Sequence, residues 1–234
     1  MPQSWVVPTL TACPEDRSTL RPRKNLTALV ALVVTTGALL AGCSASADWT
    51  QPHPAPTPVG ALGRGFLPQA SPSPQATISP TPGSWSDVTP SAGYRVVLLS
   101  AGQDAPTLTL VSAVREWAET SGVDLRTVAA DENHIDGIVE AMDMNPDLII
   151  SAGDELLEAL ALVTASHLEQ NFLVMGAAIA EPTYNVTAAN WTGAGGGASA
   201  FDPASFTPER SASAVRAGVA SILHDQTGVV LWLD

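Results

Sequence analysis

Six apolar runs alternate with helical patterns between residues 94 and 233, and this alternation constrains the fold more than any other feature. The first run, Tyr94–Ser100, is apolar at nearly every position, which is typical of a parallel strand buried on both faces. The further predicted strands are Asp124–Ala129, Asp147–Gly153, Phe172–Met175, Tyr184–Trp191 and Val229–Leu233. Strands that alternate with helices imply right-handed crossovers. The sequence therefore predicts an α/β fold with a doubly wound parallel sheet.

Apolar residues at helical spacing mark the helices between these strands. The stripes are Leu110, Val111, Val114, Trp117 and Ala118; Ile135, Ile138, Val139 and Met142; Leu156, Leu157, Leu160 and Val163; and Val215, Val219, Ile222 and Leu223. Gly122 follows the first stripe, where a C-cap glycine is expected. Thr207, Pro208 and Glu209 supply an N-cap, a first-turn proline and a first-turn acid, which predicts the start of the last helix.

The N-terminal region carries a secretion and lipidation signal. A basic cluster at residues 21–24 precedes an apolar run, Leu26–Leu40, and Leu40-Ala41-Gly42-Cys43 resembles the bacterial lipobox. We therefore predict that residues 1–42 form a lipoprotein signal peptide with a short signal helix. Cys43 is then the lipidation site, and the protein is anchored at the extracytoplasmic face of the bacterial cell membrane. The alternative, a spanning signal anchor, needs roughly 20 apolar residues, which this run lacks.

Residues 43–90 are rich in Pro, Ser and Thr, as in the segment His53–Pro58. Proline favours extended polyproline II, so this composition predicts a lipid-anchored, disordered linker with a reach on the order of 100 Å. A Pro-rich docking motif for a partner is the alternative. The folded domain is then predicted to span residues 91–234.

The charge balance excludes one class of partner. The chain has a net charge of −13, and residues 43–234 carry six arginines, no lysine and 21 acidic residues. Nucleic-acid binding depends on basic side chains that neutralise phosphates, so nucleic acid is excluded as a partner. The chain also lacks a polybasic patch that could bind anionic lipid, so membrane attachment would depend on the acyl chains at Cys43. With Cys13 removed and Cys43 acylated, no free thiol remains for redox chemistry or metal binding.

Several motifs resemble those of the basic membrane protein family. They are Asn145–Gly153, Asn185-Val186-Thr187, Phe206–Ala212, Ala217–Ala220 and Thr227–Val230, and the resemblance covers residues 94–233. It implies a lipid-anchored solute-binding component of an ABC importer with a type 1 periplasmic-binding-protein fold. Family members have two lobes, so this chain would hold the first lobe and the start of a second at Val229–Leu233. The family's nucleoside site is not carried over, because Ala101–Thr107 and Met175–Ala178 replace its ligand-holding segments.

Ligands of open parallel sheets bind beyond the carboxyl ends of the strands. The residues predicted to hold a solute there are Ser100, Gln103, Asp104, Ser151, Gly153 and Asp154. The serines, the glutamine and the amides around Gly153 could hydrogen-bond a sugar or a base, and the two aspartates could accept from hydroxyls. Under the alternative interpretation, Asp154 only caps a helix, and Gln103 and Asp104 lie in a solvated turn.

No catalytic, cofactor or metal constellation is recognisable. The glycine run Gly193–Gly197 lacks the Gly-Lys-Ser/Thr ending of a phosphate loop and predicts a flexible loop. The four histidines have no metal-ligand spacing, and no nucleophile elbow is present. We therefore predict a binding protein that is not an enzyme, with no cofactor and no metal.

Three functional hypotheses remain open. The first is capture of a nucleoside or sugar-like solute and its delivery to an ABC permease. The second is a non-transport interaction or structural lipoprotein of the envelope, and the third is a truncated or split product without ligand binding. A homodimer is a further expectation, because Val229–Leu233 would expose an unpaired apolar edge unless it joins the sheet.

Overall fold

The predicted strands assemble into one parallel sheet in the computed structural model, which describes residues 48–196 and 200–234. Seven strands form it: β2 (Thr77–Ile78), β4 (Arg95–Ser100), β5 (Asp124–Ala129), β6 (Leu148–Ala152), β7 (Asn171–Met175), β8 (Val186–Asn190) and β9 (Val230–Trp232). Two further strands, β1 (Pro58–Val59) and β3 (Thr89–Pro90), pair antiparallel in a separate ribbon. The predicted signal peptide and Cys43 lie outside the described residues.

The order across the main sheet is β2-β9-β8-β7-β6-β4-β5, and neighbouring strands are parallel throughout. After β2 at the far edge, the chain continues at β4, moves outward to β5, and then crosses back over β4 to β6 before it continues the other way. In register, Leu98 of β4 lies opposite Thr127 of β5 and Ile150 of β6. This reversal of direction makes the sheet doubly wound, as predicted.

Four helices supply the crossovers: α1 (Ala105–Ser121), α2 (His134–Asp143), α3 (Leu157–Thr164) and α4 (Pro208–Leu223). The predicted caps are confirmed at both helices where they were named. Gly122 ends α1 with φ 65°, a left-handed conformation that favours glycine, and the Thr207 side chain accepts a bond from the Arg210 amide at the start of α4. Within the described part of the chain, no helix combines the length and apolar character needed to cross a bilayer.

Alternate residues of each strand point to opposite faces of the sheet, and each face has its own apolar core. Leu98 and Ile150 pack on one face with α1 and α4. Leu99 and Ile149 pack on the other face with α2 and α3. Both faces are therefore covered, which explains why the central strands β4, β6 and β7 are buried along nearly their whole length.

The prediction of a disordered linker over residues 43–90 is wrong for the part that the structure describes. Phe66, Ile78 and Trp85 are buried in the core beside α4, and Trp49 is buried in the opposite core. Residues from Asp48 onward belong to the same compact unit as the sheet. The many prolines limit regular secondary structure in this segment. Its widely spaced large apolar side chains nevertheless pack into the cores and hold the segment on the domain.

The last apolar run does not begin a second lobe. β9 lies inside the sheet, where Leu231 pairs with Ala189 of β8 on one side and with Ile78 of β2 on the other. The edge expected to drive homodimerisation is therefore already paired, and this basis for a dimer is removed. The strand that pairs with it comes from the segment predicted to lack structure.

Gly137 tests the packing of α2 on the sheet. A Cβ built on Gly137 would lie 2.4 Å from the Ala130 Cβ and 3.0 Å from the Ala130 Cα. We expect Gly137→Ala to lower the free energy of unfolding by about 1–3 kcal/mol, because backbone beside the new methyl cannot move aside. Ala130→Gly in the same chain should restore most of the loss, as measured by urea unfolding in a double-mutant cycle. A gain in stability, as helix propensity alone would give, would contradict this packing.

Deletion of the packed segment before Ser91 tests whether that segment is part of the folded domain. A chain that begins at Ser91 lacks Phe66, Ile78 and Trp85, and removal of one large buried aromatic side chain costs about 3–5 kcal/mol. Since whole domains are stable by about 5–15 kcal/mol, we expect no cooperative urea transition, whereas a chain that begins at Asp48 should show one. Within this longer chain, Trp85→Ala should be strongly destabilising, and Leu67→Ala, at a half-exposed position, should change little. Equal midpoints for the two chains would show that the segment is dispensable.

Candidate functional site

The sheet changes winding direction between β4 and β6. After β4 the chain turns to the face of α1, and after β6 it turns to the face of α3. The loops 101–104 and 153–156 therefore diverge from adjacent strands. A crevice outside the carboxyl ends of the strands is expected at this switch point, and it is the usual ligand position in open α/β sheets.

The loop after β4 is held in place by two neighbouring elements. The Gly102 amide donates to Asp131 Oδ1 over 2.8 Å, which connects this loop to the one after β5. Asp104 caps α1, since its carboxylate accepts from the Thr107 amide at 3.0 Å and from the Thr107 hydroxyl at 2.7 Å. Burial raises the pKa of Asp104, but the bonds from the Thr107 amide and hydroxyl outweigh burial and leave the pKa below its usual value.

The loop after β6 passes close to the first turn of α1. The backbone of Gly153 has φ 89°, a conformation that favours glycine, and a Cβ there would lie 3.0 Å from the Thr107 hydroxyl oxygen. The Gly153 amide donates to the Met175 carbonyl over 2.9 Å. Asp154 follows with an exposed side chain, and α3 begins without a side-chain cap. The interpretation of Asp154 as a helix cap is therefore wrong.

Five of the six predicted site residues lie at this edge. They are Ser100, Gln103, Asp104, Gly153 and Asp154. Ser151 is separated from them, because its side chain is fully buried and shares the face of Ile149, toward α2 and α3. Its hydroxyl has no hydrogen-bond partner. The Gly153 amide is already engaged with Met175, so the exposed donors and acceptors are those of Gln103, Asp104 and Asp154.

The glycine-rich segment after β8 packs against the same edge. A Cβ on Gly195 would lie 2.6 Å from Asp154 Oδ2, and one on Gly196 would lie 2.4 Å from the Ala178 carbonyl oxygen. The Gly195 amide also donates to the Gly176 carbonyl over 2.9 Å. Residues 193–196 are thus a packed turn, which corrects the prediction of a flexible loop there, and their glycines permit the close approach to Asp154.

Aromatic side chains extend along this edge from the end of β8. Trp191 is fully buried, its indole donates to the Ser205 hydroxyl over 3.0 Å, and its ring lies edge-on to Phe206 at 5.1 Å between centroids. Phe206 in turn lies 5.7 Å from Phe201, which is 53% exposed. Trp117 and Trp191, two aromatic side chains of a kind that can stack on a ligand, both belong to the core. Phe201 was missed, although a lone aromatic residue after a small-residue loop is a recognisable signal.

The edge is acidic along its length. Exposed aspartates follow β4, β5, β6, β8 and β9, and they are Asp104, Asp131, Asp154, Asp202 and Asp234. The Trp232 indole donates to Asp234 over 2.6 Å, and this bond, with those from Thr192 and the nearby Arg210 charge, holds the pKa of Asp234 below its usual value. Beside Asp234, Arg210 lines an open groove of about 320 Å³. An anionic solute would be repelled by most of this edge.

In the described part of the chain, the histidines and acidic side chains are not gathered into a metal site. Among residues 48–196 and 200–234, no group of three or more His, Cys, Asp and Glu side chains is arranged to hold a metal ion. His53, one of the four histidines, instead lies against Asp147, with 2.8 Å between Nε2 and Oδ1, at the opposite edge of the sheet. The polar groups at the carboxyl edge can donate and accept hydrogen bonds, and they form a surface suited to binding.

Comparisons with known proteins give similarities in structure alone. No protein-family model and no curated protein matches the chain, so the basic membrane protein family is not confirmed. ABC transporter solute-binding proteins from Aeropyrum pernix K1 and Conexibacter woesei are similar over 42% of this chain, with 21% and 18% identity and TM-scores of 0.36 and 0.37. The matched parts span 29% and 35% of those proteins, so this chain covers about a third of their length.

A third solved structure is a fragment described as a candidate lipoprotein, from Peptoclostridium difficile 630. It is 17% identical, with a TM-score of 0.42, and the match covers 56% of this chain and 98% of the fragment. These values support no functional conclusion. The function proposed below therefore depends on the geometry and sequence of this chain.

The Asp104 cap generates a pH-dependent prediction. We expect Asp104→Ala to lower the free energy of unfolding by about 0.5–2 kcal/mol at neutral pH, because the α1 cap is lost. A depressed pKa contributes stability above the unfolded-state value of 3.8, and that contribution disappears as pH falls through the lower native value. The difference in the free energy of unfolding between wild type and Asp104→Ala, measured by urea unfolding, should therefore become smaller below pH 3.8. Glu132→Ala, at an exposed position on the same edge, is the control, and a gap that widens in acid would contradict the assignment.

Proposed function

We propose that this chain is a cell-surface lipoprotein that captures a small solute by non-covalent binding at the carboxyl edge of its sheet. The observation that carries the proposal is the switch point, where the loops after β4 and β6 diverge and leave Gln103, Asp104 and Asp154 exposed at one edge of the sheet. Ligands of open parallel sheets bind at this position. No step of chemistry is required of these residues. Their role is to hydrogen-bond the solute and to orient it.

The acidic edge favours a neutral or cationic solute rich in hydroxyl groups. Carboxylates accept hydrogen bonds from hydroxyls and repel phosphates, and bonds to a charged group are the stronger ones. The exposed Phe201 ring adds an apolar face on which a base or a sugar ring can stack. A nucleoside or a sugar-like molecule combines both features, in agreement with the family resemblance.

Attachment to the membrane is part of the proposal. Acylation of Cys43 follows from the lipobox and would place the mature chain on the extracytoplasmic face of the bacterial membrane. An ABC permease is the partner that the resemblance implies. Mass spectrometry of the mature chain should find position 43 acylated as its first residue, whereas a bare thiol there would contradict the anchor.

Titration calorimetry tests solute capture. The acyl-free chain that begins at Asp48 should bind a neutral nucleoside or sugar from a panel, and the phosphorylated form of the same compound should bind more weakly. Phe201→Ala should weaken binding roughly tenfold, since loss of one aromatic contact of about 1.4 kcal/mol corresponds to that factor. Tyr184→Ala is the matched control, because Tyr184 is also an exposed aromatic residue, at 61%, but lies at the opposite edge. Equal losses in both variants, or no heat across the panel, would contradict a solute site at Phe201.

A second function is favoured by one observation. β9 is paired on both sides, so the sheet described within residues 48–196 and 200–234 does not leave its last strand as an open edge. Such a body can serve as an interaction or structural module of the envelope without a second lobe. A specific protein cross-linked to the carboxyl edge in cells, together with an absence of solute binding, would favour this function over solute capture.

A further inference from the structure

The segment just after the predicted lipidation site is locked to one edge of the sheet. The Trp49 indole is 3% exposed and packs in the core with α2 and α3, and it donates to Asp124 at the start of β5 over 2.7 Å. The guanidinium groups of Arg95 and Arg126 lie 5.8 Å and 4.1 Å from the centre of the indole, within range of cation–π attraction. Trp49 is therefore held by apolar, polar and electrostatic contacts.

Arg95, the first residue of β4, binds the backbone of this segment. Its guanidinium donates to the carbonyl oxygens of Trp49 at 3.0 Å, Gln51 at 2.9 Å and Asp48 at 3.4 Å. A buried arginine with these partners fixes a short loop in one conformation, because each carbonyl satisfies a donor that would otherwise be costly to bury.

A third connection lies two residues further along. His53 Nε2 is 2.8 Å from Asp147 Oδ1, and Asp147 Oδ2 also accepts from the Arg95 amide over 2.9 Å. Asp147 directly precedes β6, so residues 48–53 are attached at the starts of β4, β5 and β6. We call this set of contacts the amino-edge clamp. In a parallel sheet the starts of the strands share one edge, and the candidate site lies at the other.

The distance from the clamp to the lipid is limited by covalent geometry. Cys43 and Asp48 are five residues apart in sequence, and a chain spans at most about 3.6 Å per residue, so about 18 Å separates them at most. The six residues of β4 extend about 17 Å from the amino edge to the carboxyl edge, and the loops that carry the candidate site lie beyond Ser100. A fully extended tether would only just pass along β4 and would not pass the loops beyond it, so the carboxyl edge cannot lie on the bilayer while the clamp is closed.

We propose that the amino edge of the sheet faces the lipid bilayer and that the carboxyl edge, with its candidate solute site, faces outward. The proposal rests on acylation of Cys43 as proposed above, and it does not depend on solute binding. Exposed acids at the amino edge, such as Asp143 and Glu169, offer anionic lipid no attraction, so the short tether sets this orientation. A partner that contacts the solute site must then reach beyond the height of the domain.

Energy transfer to dye-labelled lipid headgroups tests the orientation. The acylated full chain, processed in cells and reconstituted in phosphatidylcholine vesicles, carries one new cysteine for a donor dye, since Cys43 is blocked. Glu169→Cys places the donor just before β7 at the amino edge, and Glu132→Cys places it after β5 at the carboxyl edge. Both positions are exposed and both changes remove one negative charge, so the variants are matched. We expect clearly higher transfer from position 169 than from position 132.

A longer tether is the control that separates this orientation from a preference of the surface itself. An insertion of about 30 Gly/Ser residues between Ala45 and Ser46 adds a root-mean-square span of about 30 Å and leaves the clamp untouched. Transfer should fall at position 169, and the difference between the two positions should shrink. Equal transfer from both positions in the uninserted chain, or higher transfer from position 132, would overturn the proposal.

Two further outcomes are separable from these. Failure of the chain to remain on vesicles after flotation would show that Cys43 is not acylated, and this would overturn both the anchor and the orientation. A chain that binds no solute in calorimetry but shows the expected transfer would overturn solute capture and leave the orientation supported.

Discussion

A parallel sheet must be covered on both faces and at its edges, and this requirement governs the whole structure. Its strands are apolar on both sides, so helices have to pack on each face, and the four helices divide two and two between them. Without β2, β9 would be a strand at the edge of the sheet, unpaired on one side. β2 comes from the proline-rich segment near the N-terminus and pairs with β9. A stretch that looks like a spacer is thus an integral part of the fold.

The same winding creates the candidate site. Because the chain leaves β4 and β6 toward opposite faces, the ends of these two strands separate, and polar loop residues occupy the gap. Gly153 adopts a positive φ beside Thr107, and Gly195 approaches Asp154 at a distance that a side chain would prevent. The result is an edge with several exposed carboxylates and one exposed aromatic ring, a surface that suits a hydroxylated solute better than an anion.

The amino edge has a different role. There Arg95 and Asp147 hold the incoming chain by its backbone carbonyls and by His53, and Trp49 is buried beneath it. Such a closed attachment, a few residues from the proposed lipidation site, would restrict the domain in a way that a long stalk would not. If the protein serves a permease and takes the proposed orientation, the solute would be handed over from an edge that faces outward, and the geometry of that transfer would differ from that of a freely tethered receptor.

Local pattern alone determined the α/β class, the strands and helices between residues 94 and 233, the caps at Gly122 and Thr207, and the placement of Gln103, Asp104 and Asp154 at one edge. These features follow from periodicity and from the parallel arrangement, which brings all strand ends to the same side. Ser151 was predicted at the site, but its side chain is buried. Successive side chains of a strand point to opposite faces of the sheet, and the sequence pattern does not show which face Ser151 takes.

Tertiary structure alone decided the role of residues 48–90 and the position of β9. Composition pointed to an extended spacer, since proline prevents regular hydrogen bonding. Trp49, Phe66 and Trp85 are buried against residues that are far away in sequence. β9 pairs with β2, which lies about 150 residues earlier in the chain. Such long-range contacts leave no local signature, because the stabilising surface exists only after the rest of the sheet has assembled.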